Sequence, residues 1–579
     1  MKKLLLLSLV VIMVTAPAWL GFSTATPEEP SLSRYVPSGP LLYLEAKDFS
    51  SLLSDWNASP QKQRWIESSN FEVFSRSRLF LRLKTAGDQF RGAAGLPPDM
   101  NFLAQVAGTR SALALYDIGK LQFLYITTLP SAKSGQTLLW QTRAKFEPRS
   151  VAGSTFYIRR DPEGKREVSF AIVGDYLLLA TREDLMVSAL QLIAGAKDRA
   201  MTNEPWWQAS LQSTGAAGDL RMALNLDKIA PSSYFRTYWV QQNITELKQY
   251  SSSVSDLYVA GTEFREERVL VKKSTAVAQG EVGSPDTSRD PGTSPGPERA
   301  AQLVALVPDQ VGLYAAKADP SEDSCIDLLR DKFLDPQLAN PSTAKTAPQI
   351  QLGAGEAGSA FDLETRIDQS VAELTTPRFD AREIRNLLGQ NKVAASLSVQ
   401  SAEQTPSGVF VKIPSAAVFV GASDWDANTV ESAIAHSVRP ELTAGDLGVT
   451  WIARSGYKQL SGLWPLFAAI RGSYLIVADD EALIQQLLSN INRKSQHAPA
   501  IFLAEFRHTQ ERANFSKLSS VLDRPYSPTS SAGAPRDPQF FSDNISSLSS
   551  TFRDLGSEEV VVRHDGENVR QTVTYHWSK

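Results

Sequence analysis

"VPSGPLLYLEA", Val36–Ala46, is written almost a second time as "VPDQVGLYAAK", Val307–Lys317. Each phrase opens on Val-Pro, and the pairs Leu42-Tyr43 and Leu313-Tyr314 fall at the same distance behind it. Short apolar runs carrying an aromatic residue behind a turn-forming proline have the composition of a β-strand. The repeat therefore puts the same strand at the start of each of two halves.

Two further pairs keep the same order. "GDYLLLATREDLMVSALQLI" from Gly174 matches "GSYLIVADDEALIQQLLSNI" from Gly472. In each, a strand beginning at the tyrosine (Tyr176 or Tyr474) gives way to a helix. The apolar positions Leu185, Met186, Ala189, Leu190 and Ile193 recur as Leu483, Ile484, Leu487, Leu488 and Ile491. That i, i+1, i+4, i+5, i+8 spacing is one continuous helical face, able to dock on a sheet. "NITELKQYSSSVSDLYVAG" from Asn243 pairs with "NISSLSSTFRDLGSEEVVV" from Asn544, each running into a closing hairpin. The second hairpin has Asp565-Gly566 as a favoured turn. Three landmarks in one order point to an internal duplication.

The halves are assigned to 33–278 and 301–579, with an insertion in the second near 335–358, where "DPQLANPSTAKTAPQIQLGAGEAG" is rich in Pro, Ala and Gly. Residues 279–300 lie between them. The stretch Gly280–Arg299 has almost nothing apolar, cannot repay the entropy of ordering, and reads as a flexible linker. Strands are expected near Leu41–Ala46, Ser111–Tyr116, Leu121–Thr128, Val168–Val173, Tyr176–Ala180 and Leu220–Leu226. Helices are expected near Ser50–Trp56, Asn70–Phe90, Thr137–Lys145 and Ile244–Ser252. Adjacent strands with tight connections imply an antiparallel sheet with helices over one face, an α+β fold in each of two tandem domains.

A chain of 579 residues exceeds the roughly 250–300 that one core sustains, in keeping with two domains. With 42% hydrophobic and 21% charged residues the composition is that of a globular protein, neither disordered nor fibrous. Net charge is -4 and no run of Lys and Arg forms a basic stripe, which excludes nucleic acid as a partner. At the N-terminus Lys2 and Lys3 precede "LLLLSLVVIMVTAPAW", the pattern of a secretory signal. Ala16-Pro17-Ala18 and Ser23-Thr24-Ala25 offer cleavage sites. The alternative is an uncleaved anchor, since the roughly 19 residues from Leu4 to Phe22, at about 1.5 Å each, just cross a bilayer core of about 30 Å. Either way residues 1–25 place the body outside the cytoplasm, periplasmic, secreted or held at the inner membrane.

The single cysteine, Cys325, rules out an intramolecular disulfide. Its spacing to Ile326, Leu329 and Phe333 puts the thiol on the buried face of a helix. The catalytic motifs do not survive their context. Gly353, Gly355 and Gly358 satisfy GxGxxG but follow a Pro-rich insert instead of a strand. Ser294 matches GxSxG inside the linker, where no scaffold could hold it against a base. Asp424, Asp426 and Asn428 begin like a calcium loop, but Thr429 and Ala435 stand at the sixth and twelfth positions. These acids read as helix caps, as do Asp479, Asp480 and Glu481, and Thr181, Glu183 and Asp184. His436, His497, His508, His564 and His576 show no metal-ligand spacing. No catalytic, cofactor-binding or metal-ligating residue is assigned. Trp206-Trp207 is the one candidate partner contact: adjacent residues cannot share one helical stripe, so one of the two is expected at the surface.

The "VPSGPLLYLEAKDFSSLLSDW" opening, the "GDYLLLATREDL" strand-helix and "NEPWWQASLQSTGAAGDLRMALNLDKI" together resemble an uncharacterised family of bacterial extracytoplasmic proteins, a domain of unknown function, here in two tandem copies. The resemblance implies location and fold and carries over no catalytic residue. The expected function is that of a non-enzymatic cell-envelope protein that binds a partner or serves as scaffold. The alternative is a carrier of a lipid or other apolar ligand between sheet and helices, and a third reading is an unrecognised hydrolase. Membrane contact is expected through the N-terminal segment if that segment is retained.

Overall fold

Leu42, Leu44 and Ala46 point to one face of their strand and Tyr43 and Glu45 to the other, and that period-two alternation sets the layers of the first half. The structure is a computed structural model that describes residues 31–76, 78–161, 166–231, 248–273, 295–334, 381–401, 405–407, 410–437, 450–460, 466–512 and 554–577. The segment 1–25 read as a signal or anchor, the 335–358 insert with Gly353, Gly355 and Gly358, the stretch read as linker up to Ser294, and the segment from Asn544 to 553 lie outside the described residues. Two compact units emerge: unit 1 from Met1–Glu281, Ser519–Gly556 and Asp565–Lys579, and unit 2 from Val282–Leu518 and Ser557–His564.

Unit 1 is built on ten strands: β1 (Leu42–Ala46), β2 (Ser111–Asp117), β3 (Gln122–Thr128), β4 (Glu147–Val151), β5 (Ser154–Arg160), β6 (Glu167–Val173), β7 (Tyr176–Ala180), β8 (Leu220–Asn225), β9 (Tyr250–Ala260) and β10 (Glu263–Lys272). They pair antiparallel in the order β4-β5-β6-β7-β3-β2-β1-β8-β9-β10. The last strand of the chain, Asn568–Trp577, extends this sheet along β10, from Glu263 opposite His576 to Leu270 opposite Val569. In unit 2 the strands are β11 (Val311–Ala318), β12 (Ala395–Ser401), β13 (Thr405–Ser407), β14 (Phe410–Lys412), β15 (Ser415–Val420), β16 (Trp451–Ala453), β17 (Lys458–Leu460), β18 (Leu466–Arg471), β19 (Tyr474–Ala478), β20 (Phe502–Phe506) and β21 (Leu555–Asp565). Setting aside the small β13-β14 hairpin, their order is β16-β17-β18-β19-β15-β12-β11-β20-β21, again antiparallel. Counted from the opening strand of each unit, the nine strands of unit 2 follow the order of the first nine of unit 1, and β10 is additional. The turn before the matched strand-helix pairs is also the same: Gly174 and Gly472 both sit at φ +57°, a backbone region that L side chains rarely adopt.

The α+β class holds, but helices cover both faces of each sheet, not one. In unit 1, Tyr43, Ala112, Ala114, Leu124, Ile126, Leu178 and Ala180 pack under the helices Glu183–Ile193 and Pro205–Ser213. On the other face Val168, Phe170, Leu177 and Leu179 meet the helices Arg78–Ala94, Met100–Val106 and Leu138–Gln141. Unit 2 repeats the division, with Leu483, Ile484 and Leu487 on one face. Cys325, Ile326, Leu329, Ile384, Leu387, Leu388, Val430 and Ile434 cover the other.

Several local expectations change. The helix expected over Asn70–Phe90 is two, Ser69–Ser75 and Arg78–Ala94, and Thr137–Lys145 shortens to Leu138–Gln141 with a 3-10 turn at Arg143–Lys145. The helix expected to run to Ser252 gives way to β9 from Tyr250, whose Ser252 Oγ accepts from Ser210 Oγ of the covering helix Pro205–Ser213 at 2.7 Å. Asp256 on the same strand faces Arg221 of β8, with Nε–Oδ1 and Nη2–Oδ2 distances of 2.7 and 2.8 Å. Helix Gly296–Val304 begins within the stretch read as linker.

Candidate functional site

The feature of unit 1 with the strongest chemical character is a cavity of about 350 Å³ between the sheet and its helices. Its floor follows from strand alternation. Leu42, Leu44 and Ala46 stand opposite Leu115, Leu113 and Ser111 of β2 in the antiparallel register, and Ala46 stands opposite Leu220 of β8. Phe123 and Tyr125 of β3 continue the floor. The roof is helical. Leu83, Ala86, Phe90 and Ala93 recur along Arg78–Ala94 at helical spacing and turn one stripe inward. Phe102, Leu103 and Val106 come from Met100–Val106, and Phe49 and Leu52 from Phe49–Ala58. Asp99 fixes the entry of the Met100–Val106 helix, accepting from Phe102 N at 3.0 Å, and Asp48 caps Phe49–Ala58 through Ser51 N at 2.9 Å.

The cavity is elongated along β2. From Leu115 to Ser111, at about 3.3 Å per residue, the floor runs roughly 13 Å. The polar groups in its interior are already satisfied. Tyr125 donates to Val106 O at 2.9 Å, and the Ser111 and Thr127 hydroxyls pair at 2.6 Å. Burial pushes the Tyr125 phenol up to about 12, against the lowering effect of the Ser111 and Thr127 hydroxyls, so the phenol stays neutral at physiological pH. At the Leu115 end the lining changes character: Lys120, Arg166, Glu167 and Thr181 gather there. Lys120 is exposed, and Arg166 Nη1 donates to its carbonyl at 2.6 Å. Glu167 is engaged, accepting from Arg160 Nε at 3.2 Å and from Glu183 N at 2.6 Å.

The sequence-derived candidates lie elsewhere. Trp206 and Trp207 are both buried, 6% and 2% exposed, which corrects the expectation of a surface tryptophan. They avoid sharing one stripe by turning edge to face at 5.6 Å, and Trp207 stands edge-on to Tyr43 at 5.1 Å. Trp206 Nε1 reaches Glu204 Oε2 at 3.2 Å. Neither ring is free to meet a partner. Cys325 is 1% exposed on the inner face of Glu322–Leu329, and burial pushes its thiol up to about 12. Asp426 accepts from both the amide and the hydroxyl of Thr429, at 2.8 and 2.6 Å, and Asp480 accepts from Leu483 N at 2.9 Å; both are helix caps. Thr181 is not a cap: its hydroxyl accepts from Phe123 N at 2.9 Å, and Glu167 takes over the first amide of the following helix.

His436 Nδ1 lies 3.2 Å from Ser432 Oγ one helical turn away, but the same nitrogen is 2.7 Å from Ser432 O. A nitrogen donating to that carbonyl has no lone pair left with which to act as a base. Among the described residues no three His, Cys, Asp or Glu side chains gather as a metal site, and no helix is long and apolar enough to cross a membrane. The stripe Leu83, Ala86, Phe90, Ala93 marks the roof helix in the sequence, but not the volume it helps enclose.

No family model matches the chain, and no curated protein matches it. Among solved structures, crystal form I of TP0453 is similar at 12% identity, covering 44% of this chain and 82% of that chain with a TM-score of 0.23. Crystal form IV is similar at 12% identity, covering 42% and 80% with a TM-score of 0.23. Likeness of this degree carries no argument about fold or function.

Proposed function

We propose that the protein is a non-enzymatic extracytoplasmic carrier that holds an apolar ligand between the sheet and the helices of unit 1. The observation behind this reading is the cavity of about 350 Å³, lined mainly by Leu, Phe, Ala and Val with its inner polar groups mutually hydrogen-bonded. Pockets of about 300–1,000 Å³ are the size that encloses small ligands. Each methylene buried there contributes about 0.8 kcal/mol, so a chain of eight would bring about 6 kcal/mol before the cost of immobilising it.

The extracytoplasmic location rests on Lys2, Lys3 and the apolar run that follows. Descent of the two units from one duplicated domain is the companion proposal, supported by the matched phrases and the shared strand order. In unit 2 the equivalent sheet face carries the cluster of Cys325, Ile326, Leu329, Ile384 and Leu388. The partner-binding or scaffold role becomes the second reading, since its candidate contacts, Trp206 and Trp207, are in the core.

Purification of the full chain from its native envelope, followed by organic extraction and mass spectrometry, tests the carrier. A lipid or other apolar compound is expected at near-stoichiometric amount. An extract without one, together with no uptake of added hydrocarbon-chain compounds, would sink the proposal.

A further inference from the structure

We infer that the ligand is an amphiphile with an anionic head group, a carboxylate or a phosphate, held at the Lys120–Arg166 end of the cavity with its chain lying along β2. The inference rests on the carrier reading and adds the chemistry of the head. A slot that is apolar along roughly 13 Å and cationic at one end has the polarity of a single-chain acid. At about 30 Å³ for a methylene-sized group, the volume of a liquid water, the cavity takes roughly ten to twelve carbons.

The two cations are available. Neither Lys120 Nζ nor the Arg166 guanidinium has a carboxylate within ion-pair distance among the described residues, whereas their acidic neighbours are engaged. Glu167 pairs with Arg160 and accepts Glu183 N, and Asp117 accepts Lys120 N at 2.9 Å. Arg166 is held against the β2–β3 turn by its bond to Lys120 O, so one guanidinium edge is fixed, and Lys120 lies at the exposed mouth. A guanidinium fork beside an ammonium suits an oxyanion with two or more acceptor oxygens. A neutral head leaves both charges without a partner.

The test uses the full chain stripped of bound lipid and the uncharged dye Nile red, displaced by dodecanoate, dodecyl phosphate or dodecanol. Both acids are expected to displace the dye at about ten- to hundredfold lower concentration than the alcohol, the worth of one or two charge-assisted hydrogen bonds. The ratio between the two acids separates a free fatty acid from a phosphate-bearing lipid. In K120A/R166A the preference for acid should vanish, and in K120R/R166K it should largely persist. Equal displacement by alcohol and acids, or a preference that survives K120A/R166A, overturns the head-group assignment and leaves the carrier standing. Displacement by none of the three overturns both.

Discussion

Replacing Ala86 by Leu puts the cavity to a two-sided test. Ala86 lines the roof from the middle of Arg78–Ala94, and leucine is nearly as good a helix former, so the backbone has little reason to object. The three added carbons enter space that the structure leaves open, and at about 0.8 kcal/mol each they stabilise unit 1 by up to about 2.4 kcal/mol. The same atoms take the room of three ligand methylenes, so a chain that filled the cavity loses a similar amount, roughly fiftyfold in affinity. Stability and binding should therefore move in opposite directions. Urea titration with hydrogen exchange read at β1–β3 isolates unit 1, and Nile red displacement by dodecanol reads the cavity without the head group. A variant that is destabilised by a kilocalorie or more and binds dodecanol as before would refute the reasoning, because the side chain would then be meeting packed atoms and the ligand would lie elsewhere.

Breaking the Arg221–Asp256 pair, 7% and 4% exposed, with D256A strands a buried guanidinium and should cost about 3–5 kcal/mol, read as loss of exchange protection in β8 and β9. W207A removes a side chain packed edge-on to Tyr43 and should cost about 3–5 kcal/mol in unit 1 by the same measurement. D480A deletes the cap on Leu483 N and should lower the stability of unit 2 by about 1 kcal/mol in urea titration. Cys325 should resist a thiol reagent at pH 8 in the native chain. Because its folded pKa of about 12 exceeds the unfolded value near 8.5, its effect on stability is absent at neutral pH and grows as pH rises between those values. Stability there should fall by about 1.4 kcal/mol per pH unit, a slope that C325A removes.

Elements with a strong period were legible in the sequence. Leu42-x-Leu44-x-Ala46 and Ser111-x-Leu113-x-Leu115 alternate cleanly, and Leu185, Met186, Ala189 and Leu190 mark a helix that lies where the spacing put it. Strand β4 was missed because Glu147–Val151 is half exposed and carries Glu, Pro, Arg and Ser where a buried strand would carry Val or Ile, whereas β5 alternates about the buried Phe156 and Ile158 and was there to be read. β9 was misjudged for a related reason: a serine run reads as a break unless one knows that Ser210 and Arg221 wait across from it. The burial of both Trp206 and Trp207 depends on Tyr43, distant in sequence, supplying an edge contact. The cavity was illegible in principle, since volume is what remains after helices dock, and no residue encodes it alone. Its cationic end joins the β2–β3 turn to the residue before β6, a proximity set by the strand order.

An apolar cavity of this size offers an occupant substantial binding energy. A ten-carbon chain seated there would contribute up to about 8 kcal/mol at about 0.8 kcal/mol per methylene, before the cost of immobilising it. In unit 2, Cys325, Ile326, Leu329, Ile384 and Leu388 pack against the equivalent face. An occupant of the unit 1 cavity is expected to stabilise unit 1 and leave unit 2 unchanged. Stripping lipid from the purified chain should reduce exchange protection in β1, β2 and Arg78–Ala94 while leaving β11, β12 and Glu322–Leu329 as they were, and re-addition of a twelve-carbon acid should restore it. The size of the recovery fixes the affinity through mass action, about 2.7 kcal/mol when the acid stands at a hundred times its Kd. Equal loss in both units, or none in either, would mean that the space in unit 1 is closed by its own side chains in solution, and the functional reading built on it would go with it.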